Sequence, residues 1–266
     1  MPARLPEPEL TVAGRDGLPF LVEHWYLGSR TRRYMMVRRF REVLEQVGLA
    51  PGLRVLDIGC GWAFGTYWAR TAGCEVCGID LAHDQLAWAR RTLPGGPGLG
   101  LGQANARALP FRDTSFDRVV SVETLEHVFR PDRAAVYAEL ARVLRPGGRL
   151  ALSTPNPASP VEAAKRFAVR WPRLRRALPS SCFPEAADDL TTYHPYRYHH
   201  PLPPAELVRG LTAAGLRVLG TRRFLWVPKT LPDALLAVAL PLERACETLP
   251  LLRRLGATTL VWAVKP

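Results

Sequence analysis

Lysine is nearly missing from this chain of 266 residues: Lys165, Lys229 and Lys265 are its only three. The formal net charge of +12 therefore comes almost wholly from arginine. A surface that basic attracts anions, whether nucleic acid, acidic lipid or a phosphorylated small molecule. Long apolar runs are missing as well. The run ALLAVALPL is interrupted by Pro241 and falls well short of the roughly 18 residues of a membrane span. MPARLPEPELT at the start holds two acids and three prolines and no apolar stretch of secretory type, so no signal peptide is expected there. The five cysteines are an odd count, which argues against a disulfide framework. Cys74 and Cys77 form a CxxC pair, but they flank an expected strand and no second pair follows at zinc spacing, so they read as small core residues. No internal repeat or low-complexity tract is visible. These features fit a cytoplasmic, reduced protein of one domain with elaborations, and an apolar content of 47% is enough for a core.

What is present is an alternation of patterns. In RTRRYMMVRRFREVLEQVGL, Tyr34, Val37, Phe40, Val43, Leu44 and Val47 recur at helical spacing, and Gly48 with Pro51-Gly52 ends the helix. Strands over 54–58, 75–79, 118–122 and 149–154 then alternate with helices over 66–71, 83–93 and 133–144. Such alternation predicts an α/β fold, a parallel sheet with helices on both faces. Later, PPAELVRGLTAAG reads as a helix ended by Gly215, and LRVLGTRRFLWV and TTLVWAV as strands. We expect a single domain over 1–266, divided into a helical cap (1–50), a nucleotide-type core (54–154), an insert (155–204) and the rest of the core (205–266).

The insert is too long for a simple connection unless it has a job. VEAAKRFAVRWPRLRRAL places Val161, Phe167 and Trp171 near one helical face and crowds six cations on the remainder, with Pro172 dividing it into two short helices. That pattern suits either a lid over the site or a peripheral contact with an anionic membrane through residues 161–178. TTYHPYRYHHP follows, where His194, His199 and His200 with Tyr193, Tyr196 and Tyr198 either supply a base or pack as a surface loop.

The most informative stretch is VLDIGCG, Val55 to Gly61, an apolar run ending in an acid and a Gly-x-Gly turn before the helical TYWAR. Glycines let the backbone turn sharply and approach a ligand. Asp57 stands where a dinucleotide fold would aim a helix N-terminus at pyrophosphate, which a carboxylate repels. The ammonium and sulfonium of S-adenosylmethionine would be attracted instead.

VLDIGCGWAFG resembles motif I of the class I S-adenosylmethionine-dependent methyltransferases. CGIDLAHDQLAWAR, ARALPFRDTSFDRVVSVETLEHV and LRPGGRLALSTPNP continue the likeness in order, from Arg54 to about Pro157. The resemblance, which is to the type 11 branch, implies a Rossmann-like sheet of seven strands in the order 3-2-1-4-5-7-6. It implies that Asp57, Gly59, Cys60 and Gly61 hold the methionine end of the cofactor, Asp80 and Leu81 the ribose, and Asn105 and Ala106 the adenine, with Glu123 beside them. Asn105 departs from the family, which usually carries an acid there, and a neutral amide makes a weaker bond than a carboxylate. The arginines at 30, 32 and 33 lie where the family's N-terminal helix often reaches the cofactor's carboxylate; alternatively they form a solvated basic face.

The pattern of Glu123, Glu126 and His127 in VETLEHV is similar to that of the ubiquinone-biosynthesis O-methyltransferases. It leaves three readings open. His127 is a general base, or the three side chains hold a divalent metal, or Glu126 caps a helix and the group is structural. The resemblance implies methyl transfer to a small-molecule acceptor, at a hydroxyl oxygen of a phenolic, prenylated or glycosidic compound. An RNA methyltransferase is the alternative that the charge favours, although no appended nucleic-acid-binding module is seen; a non-catalytic cofactor-binding subunit is the third.

Overall fold

Val55, Leu56 and Ile58 are buried in β1 (Arg54–Ile58), which lies at the centre of a sheet with β2 (Glu75–Asp80) on one side and β4 (Phe116–Val122) on the other. A strand covered on both faces needs such a continuous apolar run. The computed structural model describes residues 28–169, 171 and 199–266. β3 (Leu99–Gln103) pairs parallel with β2, and β5 (Leu144–Pro155) parallel with β4. β7 (Thr258–Val264) runs antiparallel between β5 and β6 (Arg217–Phe224). The order is β3-β2-β1-β4-β5-β7-β6, as the resemblance implies.

Helices α1 (Arg30–Val47), α2 (Phe64–Thr71) and α3 (His83–Thr92) pack together on one side, where Val43, Leu44 and Val47 of α1 meet Trp68 of α2 over β1 and β4. Ser29 caps α1 by accepting the Arg32 N–H, and Gly48 ends it in the left-handed conformation, φ +67°. On the other side Val136, Tyr137 and Leu140 of α4 (Arg133–Val143) meet Leu207 and Leu211 of α6 (Pro204–Ala213). α5 (Pro160–Val169) leaves the carboxyl end of β5, and α7 (Leu236–Thr248) joins β6 to β7.

Two elements go beyond the sequence reading. β3 carries glycine at 100 and 102, which lowers strand propensity. α7 carries Pro241 and leaves Val238 and Leu242 exposed, so its apolar residues do not announce a buried face. Cys74 is buried and Cys77 half-buried, and both are free thiols raised by burial above the usual thiol range.

Candidate active site

A cavity of about 380 Å³ opens beyond the carboxyl ends of β1 to β4, where ligands sit in open α/β sheets. Gly59 and Gly61 reach it from β1, Asp80 and Leu81 from β2, Asn105 and Ala106 from β3, and Glu123, Thr124 and His127 from β4. Its volume is in the range of small-molecule sites.

The glycine turn is held from below and from the side. Gly59 and Cys60 both donate their N–H to the Ile79 carbonyl, at 2.8 and 3.0 Å. Gly59 has φ +70°, and a Cβ there would come within 2.2 Å of Thr124 Cγ2, so the turn and the end of β4 touch through glycine alone. Asp80 then ties the turn to α3: Oδ2 accepts the Gly61 N–H at 2.8 Å and Oδ1 the Ala82 N–H at 2.9 Å. Asn105 Oδ1 accepts the Arg107 N–H at 3.0 Å, an Asx turn that fixes the loop after β3.

Asp57 and Cys60 do not line the cavity. Asp57 lies beneath the turn, 3% exposed, with Oδ2 accepting from Thr66 Oγ1 at 2.7 Å. Burial pushes its carboxyl up to about 6, against the Thr66 hydrogen bond and helped by the charge of Asp80. A raised folded-state value means a contribution to stability that is present below the unfolded value and lost as pH rises through the folded one. The Asp57→Asn variant should therefore gain on the wild type between about pH 4 and about pH 6 and level off above, by at most about 3 kcal/mol. Urea unfolding across that range checks it; a constant difference between the two proteins would refute it.

The three candidates after β4, Glu123, Glu126 and His127, part company. Leu125, Glu126 and His127 form a single 3-10 turn, and its three residues per turn send successive side chains about 120° apart. His127 lines the cavity, its N–H donating to the Thr124 carbonyl at 2.9 Å and its ring 5.4 Å from that of His199. Glu126 turns inward: it is 1% exposed and Oε2 accepts from Thr154 Oγ1 at 3.2 Å. Burial, with the charge of Glu123 adding to it, holds its carboxyl well above the usual carboxylate range. The expectation that Glu126 faces the acceptor side is corrected accordingly. Glu123 sits at φ +52°, accepts from Ser153 Oγ at 3.1 Å and lies 3.5 Å from Arg39 Nη2. Among the described residues no group of three potential ligands converges on a metal: Glu123 lines the cavity but is held by Ser153 and Arg39, Glu126 is buried against Thr154, and from that 3-10 turn His127 reaches the cavity.

Arg30, Arg32 and Arg33 are not among the lining residues; Arg39 is the α1 arginine that reaches the site, through Glu123. The sequence reading also missed Trp62, which meets Trp88 edge-on at 5.3 Å, and Gln85, Phe129 and the Arg107–Asp132 bridge of 2.8 Å at the cavity wall. Gln85 lies one turn into α3, and only the packing of α3 against the glycine turn reveals it. Tyr193, His194, Tyr196 and Tyr198 lie outside the described residues.

Sheet order, glycine turn and a cavity shared by successive strand ends define a Rossmann-like fold of the class I, S-adenosylmethionine-dependent methyltransferase kind. Residues 56–152 match the family model described as a methyltransferase domain. Over 121 residues the chain is 40% identical to the methyltransferase GfsG of Streptomyces halstedii, covering 44% of this chain and 42% of that one. Over 143 residues it is 36% identical to the O-methyltransferase resE of Aspergillus sclerotiorum, covering 49% and 51%. The chain thus spans about half the length of the curated relatives it matches. The solved structure of an S-adenosylmethionine-dependent methyltransferase from Mesorhizobium loti shares the fold, with a TM-score of 0.56 and 21% identity over 83% of this chain and 94% of that one.

Proposed function

We propose that the protein transfers a methyl group from S-adenosylmethionine to a hydroxyl oxygen of a small molecule that is phenolic, prenylated or glycosidic. The observation that carries this reading is the convergence of the Asp80–Gly61 pair and His127 on one cavity. The residues present fit the cofactor. Asp80 already accepts two backbone N–H groups, and its carboxylate oxygens keep lone pairs for two ribose hydroxyls. Leu81 is 43% exposed beside it, an apolar surface for the nucleoside. Asn105 and the Ala106 backbone take the adenine edge, and Gly59 and Gly61 leave room for the methionine end. Asp57 and Cys60 act from beneath, the first by its charge and the second, a buried neutral thiol, by shaping the turn.

The cofactor supplies a methyl carbon activated on a sulfonium. The chain's task is to bring an acceptor oxygen into line with it and keep water out, which accounts for most of the acceleration in such transfers. His127 takes the acceptor's proton on its imidazole; for a phenol, which ionises near pH 10, modest help suffices. Glu126 is a positioning residue. Its carbonyl accepts the His200 N–H at 2.8 Å while its carboxyl holds Thr154, which fixes the 3-10 turn and brings His199 against His127. The insert, 155–204, serves either as a lid for the acceptor or, through 161–178, as a contact with an anionic membrane. Of that stretch the structure describes α5 and Trp171, where Phe167 and Trp171 are each 59% exposed. The relative from Aspergillus sclerotiorum, an O-methyltransferase by name, supports oxygen as the acceptor atom. The free thiols support a reducing, cytoplasmic setting, and no helix among the described residues is long and apolar enough to cross a membrane.

The net charge favours RNA as the rival acceptor. Incubation with methyl-labelled S-adenosylmethionine and fractionated metabolites, lipids and RNA decides between them. Label is expected in the metabolite or lipid fraction; label confined to RNA would overturn the small-molecule reading, and label in none would leave a cofactor-binding subunit.

A further inference from the structure

α7 carries an apolar stripe on its outer side. Leu235, just before it, Val238, Leu242 and Leu249 are between 50% and 66% exposed, and Leu251 beyond it is 78% exposed. Their spacings of three, four and seven residues place the first four on one side of a helix. The acids of the same helix point the other way. Glu243 is 2% exposed and Glu247 is half-buried. Glu243 pairs with Arg38 of α1, accepts from Tyr34 Oη at 3.1 Å and takes the Val227 N–H at 3.2 Å. Glu247 meets Arg38 Nη2 at 2.6 Å and takes the Leu225 N–H at 2.9 Å. Ion pairs with α1 therefore anchor this helix beside the buried Leu236, while Val238 and Leu242 face water, an arrangement that apolar burial does not favour.

Charge says what covers the stripe. Arg244, Arg253 and Arg254 are exposed within the same segment, and both of its acids are turned inward and paired. A second copy of the chain would set these arginines against one another, whereas an anionic bilayer matches both leucines and arginines. The stripe also lies at the right end of the molecule. Asn156, which follows β5, donates its amide to the carbonyls of Arg254 at 3.0 Å and Gly256 at 2.8 Å. The segment after α7 is thereby fixed at the carboxyl edge of the sheet, the edge on which the cavity opens, and Glu247 on the Leu225 N–H holds the end of α7 there.

We propose that the outward stripe of α7, Leu235, Val238, Leu242 and Leu249 with Leu251, docks this protein on an anionic lipid surface and so presents its cavity to an acceptor held in the bilayer. These residues are separate from 161–178. The partner surface builds on the methyl-transfer reading, but lipid binding is measured without turnover.

The test is co-sedimentation of the full chain with phosphatidylglycerol–phosphatidylcholine vesicles and with pure phosphatidylcholine vesicles, at low and high salt. Wild type is expected to bind the anionic vesicles, less so in salt. Leu242→Glu, and separately Val238→Glu, should weaken that binding by about tenfold or more, with melting temperature and calorimetric affinity for S-adenosylmethionine unchanged; Trp171→Glu should weaken it less. No binding by wild type at low salt overturns the proposal, and so does full binding by both α7 variants. A dimer that Leu242→Glu dissociates, in a protein that ignores lipid, would assign the stripe to a second copy and overturn it equally. Loss of cofactor affinity in wild type would instead strike at the methyl-transfer reading.

Discussion

His127→Ala is expected to lower turnover by about a hundredfold while changing affinity for S-adenosylmethionine by less than about threefold. The asymmetry follows from where the ring stands. His127 comes from the end of β4, on the opposite side of the cavity from Asp80, and its neighbours are His199 and the 3-10 turn rather than the glycine turn. Removing it should leave the nucleoside contacts in place and take away the proton acceptor. Single-turnover rates together with calorimetry separate the two quantities. His127→Gln, which keeps bulk and hydrogen bonding without basicity, should be almost as slow; full activity in the glutamine variant would show that the ring serves packing. Wild-type activity should be insensitive to a chelator, since Glu123 and Glu126 are committed to Ser153 and Thr154.

Asp80→Ala should cost more than tenfold in affinity for S-adenosylmethionine and for its demethylated product, corresponding to about 2–3 kcal/mol. The structure adds a second reason to the loss of a ribose acceptor. With the carboxylate gone, the N–H groups of Gly61 and Ala82 lose their side-chain partner, so the glycine turn and the start of α3 loosen together. Asp80→Asn retains one acceptor oxygen and the shape of the side chain, and should fall between alanine and wild type. Calorimetric titration of the three proteins checks the order; equal affinities would place the ribose elsewhere.

Much of the core was legible because β1, β2 and β4 are short apolar runs with turn signals at both ends. β3 was not, since Gly100 and Gly102 stand where strand residues would announce it and its pairing with β2 supplies what composition withholds. α7 escaped for a different reason. Periodicity locates helices whose leucines face the body, and this one holds on through Glu243 and Glu247. In the site, Asp57 was singled out for its type and position, but sequence carries no depth, and burial beneath the turn changes what its charge can do. Glu126 and His127 are adjacent in the chain, which suggested a shared exposure; the tight 3-10 turn buries the first and opens the second to the cavity, with Glu126 Oε1 still 4.0 Å from His127 Nε2. Arg39 was hidden among the arginines of α1, where only the packing of that helix over β4 and β7 shows which one reaches Glu123.

The contact between Gly59 and Thr124 has a consequence for exchanging parts between proteins of this fold. The Thr124 hydroxyl reaches the carbonyls of Ile58 at 3.3 Å and Gly59 at 3.4 Å as well as that of Val122 at 3.2 Å, so one side chain stitches the first and fourth strand ends. A chimaera that takes its first two strands from one parent and the rest from another would cut through this stitch. Any residue larger than glycine at 59 would then collide with the side chain at 124 from its Cβ outward, 2.7 Å away, on top of the strain of φ +70°. The two positions form a single unit of inheritance, and a graft that moves the acceptor side to a new scaffold has to carry the glycine turn with it.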